Sequence, residues 1–127
     1  MLEYLKELMM TEEPKIDMTI YNLQAGISKT LANPIRLAIL HTLEEGEKSV
    51  NELTDILGIS QSNISQHLAI MRQVGIVRTR KQGTSIFYSV TNAKINQACD
   101  MIREVLLDQL RERQELASSY PSTISKE

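Results

Sequence analysis

Six of the seven residues from 61 to 67 have uncharged side chains that can form hydrogen bonds. The set is Gln61, Ser62, Asn63, Ser65, Gln66 and His67. Ile64, Leu68 and Met71 recur at helical spacing, so we expect them, together with Ile70, to face inward and leave the polar set outside. Amides and hydroxyls can pair with the edges of nucleic-acid bases, whereas acidic groups would be repelled by phosphate. A plain solvated helix face has the same composition, and this helix alone does not separate the two interpretations.

Positive charge is concentrated directly after this polar set. Arg72 lies at the end of the same predicted helix, and Arg78, Arg80 and Lys81 follow within a predicted β-hairpin. Cations this close together repel one another unless they meet a polyanion, and phosphate binding releases counterions, which makes affinity fall as salt rises. A basic hairpin can also be a solvated edge that protects a sheet from aggregation. Its position after the polar helix favours contact with phosphates or the minor groove.

The other reactive side chains are few. The single cysteine, Cys99, cannot form an internal disulfide or a metal site that needs two thiolates from one chain. It fits a small core or interface residue, with a thiol switch or a ligand pair formed by two copies across a dimer axis as the minor alternative. His41 fits a structural or solvated position, with a metal ligand as the minor alternative, and His67 could either donate to a phosphate or support its helix. We expect neither an enzyme nor a cofactor, because no catalytic pairing or phosphate-cradling glycine loop stands out.

Length and charge distribution limit the class of protein further. A chain of 127 residues with 42% hydrophobic and 24% charged residues is typical of one soluble domain. Its net charge of −2 conceals a basic centre, because residues 48–90 hold five Lys/Arg against two Asp/Glu. The N-terminus lacks the order of a signal peptide, and the uncharged stretch between Asp55 and Arg72 is too polar for a membrane. We therefore expect a cytoplasmic protein with no membrane contact.

Apolar periodicity predicts two helices before the basic centre. Apolar residues recur at helical spacing over the first ten positions until 11–14 interrupt the pattern, and a second stripe runs from Ile16 to Leu31. Asn33 and Pro34 end that helix and begin the next, 34–45. Asn can cap a first turn, and Pro at the first helical position sacrifices no hydrogen bond.

Two short helices joined by a short turn come next. Ser49 and Glu52 fit a capping box, Gly58 closes the first helix, and Ser60 caps a second that continues to Gly75. This is the helix-turn-helix layout. Residues 76–90 predict a β-hairpin with a tight turn at 81–84, and a final helix covers 92–117. The predicted organisation is an N-terminal helical extension (1–14), a main domain (15–117) and a flexible tail (118–127).

Five consecutive motifs carry a resemblance to a known family. They are Leu31-Ala-Asn-Pro-Ile-Arg-Leu-Ala-Ile-Leu40, Val50-Asn-Glu-Leu-Thr-Asp-Ile-Leu-Gly58, Ile59-Ser-Gln-Ser-Asn-Ile-Ser-Gln-His-Leu68, Gly75-Ile-Val-Arg and Gly83-Thr-Ser-Ile-Phe-Tyr-Ser-Val90. In this order, over residues 28–92, the chain resembles the ArsR/SmtB family of winged helix-turn-helix repressors. The resemblance implies a homodimer, built by the first and last long helices, that binds an operator. It also implies release by a metal ion or another inducer.

The metal sites of that family can be compared position by position. One uses a Cys-x-Cys pair where this sequence has Ser49 and Asn51. A second uses ligands along the last helix, at positions that hold Asn92, Lys94, Val105 and Asp108 here. Protonated lysine and valine offer no ligand atom, and one aspartate is too little for a tetrahedral zinc centre. The family's dithiol redox sensors need a second cysteine. From these positions we expect no metal site.

Together these observations predict a mainly α-helical winged helix-turn-helix protein with a small β-hairpin and with long N- and C-terminal helices that form a dimer. The expected function is sequence-specific regulation of transcription as a homodimeric repressor. It would bind an inverted-repeat operator in double-stranded DNA and be released by an unidentified inducer, a small molecule or another effector. The alternative is a winged-helix module that dimerises and recruits a protein partner without binding specific DNA.

Overall fold

A computed structural model describes residues 1–10 and 15–119 of the chain. They form two compact units, one from Met1 to Ala32 and one from Asn33 onward. The predicted interruption at 11–14 and most of the predicted tail, residues 120–127, lie outside the described residues. Within the two described ranges, no helix combines the length and apolar character that crossing a membrane requires.

The first unit contains two helices, α1 (Leu2–Met10) and α2 (Met18–Leu31). α2 begins after Ile16 rather than at it, because Asp17 is its N-cap and accepts a hydrogen bond from the Thr19 N–H at 2.8 Å. Hydrogen bonding with Tyr4 lowers the pKa of Asp17 and raises the pKa of Tyr4. The helix that the apolar stripe predicts is present, and four stripe residues, Ile16, Ile20, Leu23 and Ile27, are exposed in the single chain while Leu31 is half-buried.

The second unit contains four α-helices and one short 3₁₀ turn among the described residues. They are α3 (Pro34–Thr42), α4 (Val50–Leu57), α5 (Gln61–Gln73) and α6 (Ala93–Ser118). The helix predicted over 34–45 is α-helical only to Thr42, and a single 3₁₀ turn completes it at Leu43–Glu45. The predicted caps are confirmed: Asn33 Oδ1 accepts from the Ile35 N–H at 2.9 Å, and Ser49 with Glu52 forms a complete capping box.

A three-stranded antiparallel sheet accompanies these helices. β2 (Val77–Gln82) and β3 (Ser85–Val90) form the predicted hairpin, and β1 (Lys48–Ser49) pairs with the other side of β3. The turn is shorter than predicted, because the strands extend to Gln82 and from Ser85 and leave only Gly83 and Thr84 between them. Gly83 has φ of +61°, which suits a glycine in a two-residue hairpin turn. β1 was not predicted, since two residues are too few to show alternation.

The core lies where α3, α4 and α5 meet the base of the hairpin. Its fully buried side chains are Ile39, Leu40, Leu53, Ile64, Leu68, Met71, Ile76 and Val77. The inward orientation predicted for Ile64, Leu68 and Met71 is confirmed. The prediction for Ile70 is wrong, because its side chain is 40% exposed. Six residues beyond Ile64, it lies about 240° around the helix from that buried position.

Candidate nucleic-acid interface

The start of α5 is set by a tight turn after α4. Gly58 adopts the left-handed conformation (φ +67°) that ends α4, and its N–H bonds to the Thr54 carbonyl at 2.9 Å. Only Ile59 separates Gly58 from Ser60, whose hydroxyl accepts from the Asn63 N–H at 3.3 Å and caps α5. α5 therefore leaves the turn with its first residues already helical and solvent-facing.

The polar set on α5 is exposed as predicted. Its members Gln61, Ser62, Asn63, Ser65 and Gln66 are all solvent-accessible, and no acidic residue occurs in the helix. Within the described part of the chain, the hydrogen bond recorded for their side chains is the 3.4 Å contact between the Ser60 and Ser62 hydroxyls. The amides of Gln61, Asn63 and Gln66 are thus unoccupied donors and acceptors, which is the state needed for pairing with base edges.

His67 has a different environment from the rest of the set. It is half-buried, and the Arg36 Nε of α3 donates to its Nδ1 at 3.1 Å. Burial lowers the pKa of His67, and the neighbouring Arg36 charge lowers it further. Because Nδ1 accepts a hydrogen bond, the neutral ring carries its proton on Nε2. This contact fits the second of the two predicted roles, support of the helix from behind.

The predicted cations are exposed, but they differ in their partners. In the described ranges no side-chain hydrogen bond or ion pair is recorded for Arg72 or Lys81, while Arg78 has a long 3.4 Å contact from Nε to the Ser89 hydroxyl. The backbone N–H of Ile76 bonds to the Met71 carbonyl at 2.9 Å, which joins the end of α5 to the start of β2. The polar helix and the basic hairpin are therefore held together directly.

Arg80 is already paired within the chain. Its Nε lies 3.1 and 3.0 Å from the two carboxylate oxygens of Glu47, its Nη1 lies 2.9 Å from Gln82 Oε1, and its guanidinium lies 5.0 Å from the centre of the Phe87 ring. Hydrogen bonding to Arg80 lowers the pKa of Glu47. Sequence reasoning missed Glu47, because the unpredicted strand β1 pairs with β3 and so brings Glu47 within reach of Arg80 from the other side of β3.

A helix pair joined by a tight turn, a second helix with an exposed uncharged polar face, and an antiparallel hairpin packed at its end define the winged helix-turn-helix class of DNA-binding domain. Comparison with known proteins narrows the class. Residues 33–79 match the family model described as "Bacterial regulatory protein, arsR family". The chain belongs to the ArsR family of DNA-binding transcriptional regulators.

The named relatives include both a repressor and an activator of transcription. The chain is 42% identical over 85 residues to the biofilm growth-associated repressor of Xylella fastidiosa, a match that covers 67% of this chain and 75% of that protein. It is 39% identical over 77 residues to the transcriptional activator HlyU of Vibrio cholerae, with coverage of 61% and 71%. Membership of a family of regulators agrees with the expectation that the chain is not an enzyme.

Solved structures show the same fold. The homodimeric winged helix-turn-helix DNA-binding domain Mb0332 of Mycobacterium bovis, solved by NMR, is similar with a TM-score of 0.68 and 25% identity. The similarity covers 77% of this chain and 93% of that one. The predicted fold class and the predicted family are therefore confirmed, with a three-stranded wing sheet in place of a simple hairpin.

Proposed function

We propose that this chain is a homodimeric, sequence-specific transcriptional repressor that works in the cytoplasm. The observation that carries the proposal is the exposed, uncharged amide and hydroxyl face of α5, joined through Met71 and Ile76 to a cationic hairpin. Such a face can discriminate bases, and the cations beside it can neutralise phosphates. Gln61, Asn63 and Gln66 can make the most specific contacts of this face, since each amide can both donate and accept a hydrogen bond at one base edge.

The two parts of this surface have different roles in the proposal. The first turns of α5, including Ser62 and Ser65, lie in the major groove. Arg72, Arg78 and Lys81 contact phosphates or the minor groove and supply affinity that depends on salt rather than on sequence. Arg80 contributes less net attraction, because Glu47 already balances its charge. His67 holds α5 in position through Arg36.

Twofold symmetry sets the form of the operator. α6 exposes apolar side chains that a second copy would cover, and the similar Mycobacterium bovis domain is a homodimer. A dimer places two recognition helices about 34 Å apart, which matches an inverted repeat with half-sites one helical turn apart. Repression needs only that the dimer occupy a promoter, and the Xylella relative is named a repressor. An effector that favours another dimer geometry would release the DNA.

Binding to DNA upstream of the chain's own gene tests the proposal by fluorescence anisotropy. Replacing Gln66 with Ala removes a bidentate base contact, so we expect about a tenfold loss on operator DNA and little change on scrambled DNA. Arg78→Ala is the matched control, because it should weaken both DNAs alike. Equal losses from Gln66→Ala on both sequences would contradict base recognition by α5. A wild-type chain with no salt-dependent binding would favour the protein-recruiting alternative.

A further inference from the structure

A cluster of three metal-ligating side chains includes none of the residues proposed to contact DNA. His41 is near the end of α3, Glu44 is in the 3₁₀ turn that follows, and Asp100 is on α6. His41 Nδ1 lies 3.5 Å from Glu44 Oε2 and 3.9 Å from Asp100 Oδ1. One ligand atom from each of the three residues lies within 4.8 Å of the other two. An imidazole nitrogen and two carboxylates therefore converge from two separate helical segments.

Buried contacts on both sides hold the two segments in register. The Asn96 side chain, one turn before Asp100, is buried and donates from Nδ2 to the Leu40 carbonyl at 2.8 Å. Leu40 immediately precedes His41, and Leu43, next to Glu44, is also buried. The backbone positions that carry the three ligands are thus fixed by the core, although His41 itself is 59% exposed. Fixed positions reduce the ordering cost of binding an ion.

The carboxylates of the cluster outnumber the cations beside them, which favours binding of a further cation. Arg103 Nη1 lies 2.9 Å from Asp100 Oδ1 and balances one carboxylate. The Glu44 carboxylate lies beside the same aspartate, with its ligand atom within 4.8 Å of the Asp100 oxygen. The cluster therefore brings two carboxylates together beside one guanidinium. A divalent ion would satisfy both carboxylates and use the lone pair of the imidazole nitrogen.

We propose that His41, Glu44 and Asp100 form a binding site for a divalent transition-metal ion, with Zn²⁺ as the reference ion. One nitrogen and two carboxylate oxygens suit Zn²⁺, whereas Ca²⁺ and Mg²⁺ prefer oxygen alone. Zn–ligand bonds of about 2.0 Å in a tetrahedron place ligand atoms roughly 3.3 Å apart. The observed 3.5 and 3.9 Å are within a small side-chain rotation of that spacing. A fourth position is open to water, and Arg103 remains an outer partner of Asp100.

This site differs from the family positions from which we expected no metal. Those positions hold Ser49, Asn51, Asn92, Lys94, Val105 and Asp108. From the sequence, His41 was considered as a ligand by itself. Its i,i+3 spacing from Glu44 already indicated that the two side chains could lie together. Asp100 could not be found in this way, because it joins the cluster through the packing of α6 on α3. The proposal does not depend on DNA binding, since the ion is bound by one chain without DNA.

Titration of the full chain with Zn²⁺ against a chromophoric chelator, in the absence of DNA, tests the site. We expect one saturable Zn²⁺ per chain, and a loss of affinity of at least about tenfold in His41→Ala and in Asp100→Asn. Asp108→Asn is the matched control. Asp108 pairs with Arg111 at 3.1 Å three residues along the same helix, as Asp100 pairs with Arg103, and it occupies one of the family's ligand positions.

Three results would overturn the proposal. They are no saturable Zn²⁺ binding by the wild-type chain, a loss in Asp108→Asn as large as in Asp100→Asn, and unchanged affinity in His41→Ala. Bound Co²⁺ provides a second readout, because its visible absorption should change when the His41 nitrogen is removed. Glu44→Gln replaces any variant whose circular dichroism shows that it has not folded, and the same loss of at least about tenfold is expected of it.

Discussion

α5 and α6 both expose one long face, and the two faces have opposite chemistry. α5 buries its apolar residues Ile64, Leu68 and Met71 and turns amides and hydroxyls to solvent. α6 buries Asn96 and Cys99 but leaves most of its apolar side chains outside. The exposed ones include Met101, Ile102, Val105, Leu106, Leu107 and Leu110. An apolar surface of this length marks an interaction site in a soluble protein. α5 buries its apolar side chains within one chain, whereas the apolar side chains of α6 would be buried only against another surface.

The largest expected effect comes from placing a charge on the apolar face of α6. In the proposed dimer, Leu106→Glu should separate the subunits, because a carboxylate would be buried at the proposed subunit contact without a partner. Each monomer would then hold one half-site, and the operator affinity should fall by about 10²–10⁴-fold. Sedimentation equilibrium gives the oligomeric state, and anisotropy on operator DNA gives the affinity.

Glu112→Gln is the control for that experiment, since it changes a charge at an exposed polar position of the same helix. We expect it to leave both the dimer and the operator affinity near the wild-type values. A Leu106→Glu chain that is monomeric yet binds the operator as tightly as wild type would break the comparison, because α5 would then act without the partner that α6 recruits.

The next effect separates two arginines of the wing. Each phosphate neutralised on duplex DNA contributes about 0.9 to the slope of log affinity against log salt. Arg78→Ala should lower the magnitude of that slope by nearly this amount, whereas Arg80→Ala should lower it by less, because Arg80 is paired with Glu47. Glu47→Gln should release Arg80 and make the slope steeper. Binding to random DNA at several salt concentrations measures all three.

The Glu47→Gln chain decides what the pair does. If its slope equals that of wild type, Arg80 is not held away from phosphate by Glu47. If Arg80→Ala lowers the slope as much as Arg78→Ala, the carboxylate does not balance the guanidinium in the complex. Either result would require the wing to contact DNA through a different set of cations from the one proposed.

Features that depend on near neighbours in the sequence were predictable. The caps at Asn33, Ser49 and Ser60 each rest on a hydrogen bond to a residue two or three positions away, and all three are present. The exposed polar face of α5 followed from helical periodicity. These interactions are local, so the sequence contains both partners within a few residues.

Features that depend on the order of strands or on helix packing were not predictable. Glu47 and Arg80 are 33 residues apart and meet only because β1 and β2 flank the same strand. Asp100 reaches His41 only because α6 packs on α3. The error at Ile70 has another cause. Ile70 was assigned to the buried stripe because it is apolar and close in sequence, although its position around the helix lies away from that stripe. The domain boundaries at 14 and 117 and the identity of the DNA-contacting residues stay predictions.

The smallest expected effect concerns His67, which supports the polar face of α5 from behind. Its pKa lies below the value of about 6.5 for an unfolded histidine, because burial and then Arg36 disfavour the charged ring. The unfolded chain therefore takes up this proton first as the pH falls. The stability contributed by the neutral ring is complete above about pH 6.5 and is lost as the pH falls through the folded-state pKa. Urea unfolding of His67→Gln should accordingly show a smaller loss of stability between neutral and mildly acidic pH than wild type shows. An unchanged pH dependence would mean that the Arg36–His67 contact does not hold the ring neutral, and α5 would then be positioned by its buried apolar residues alone.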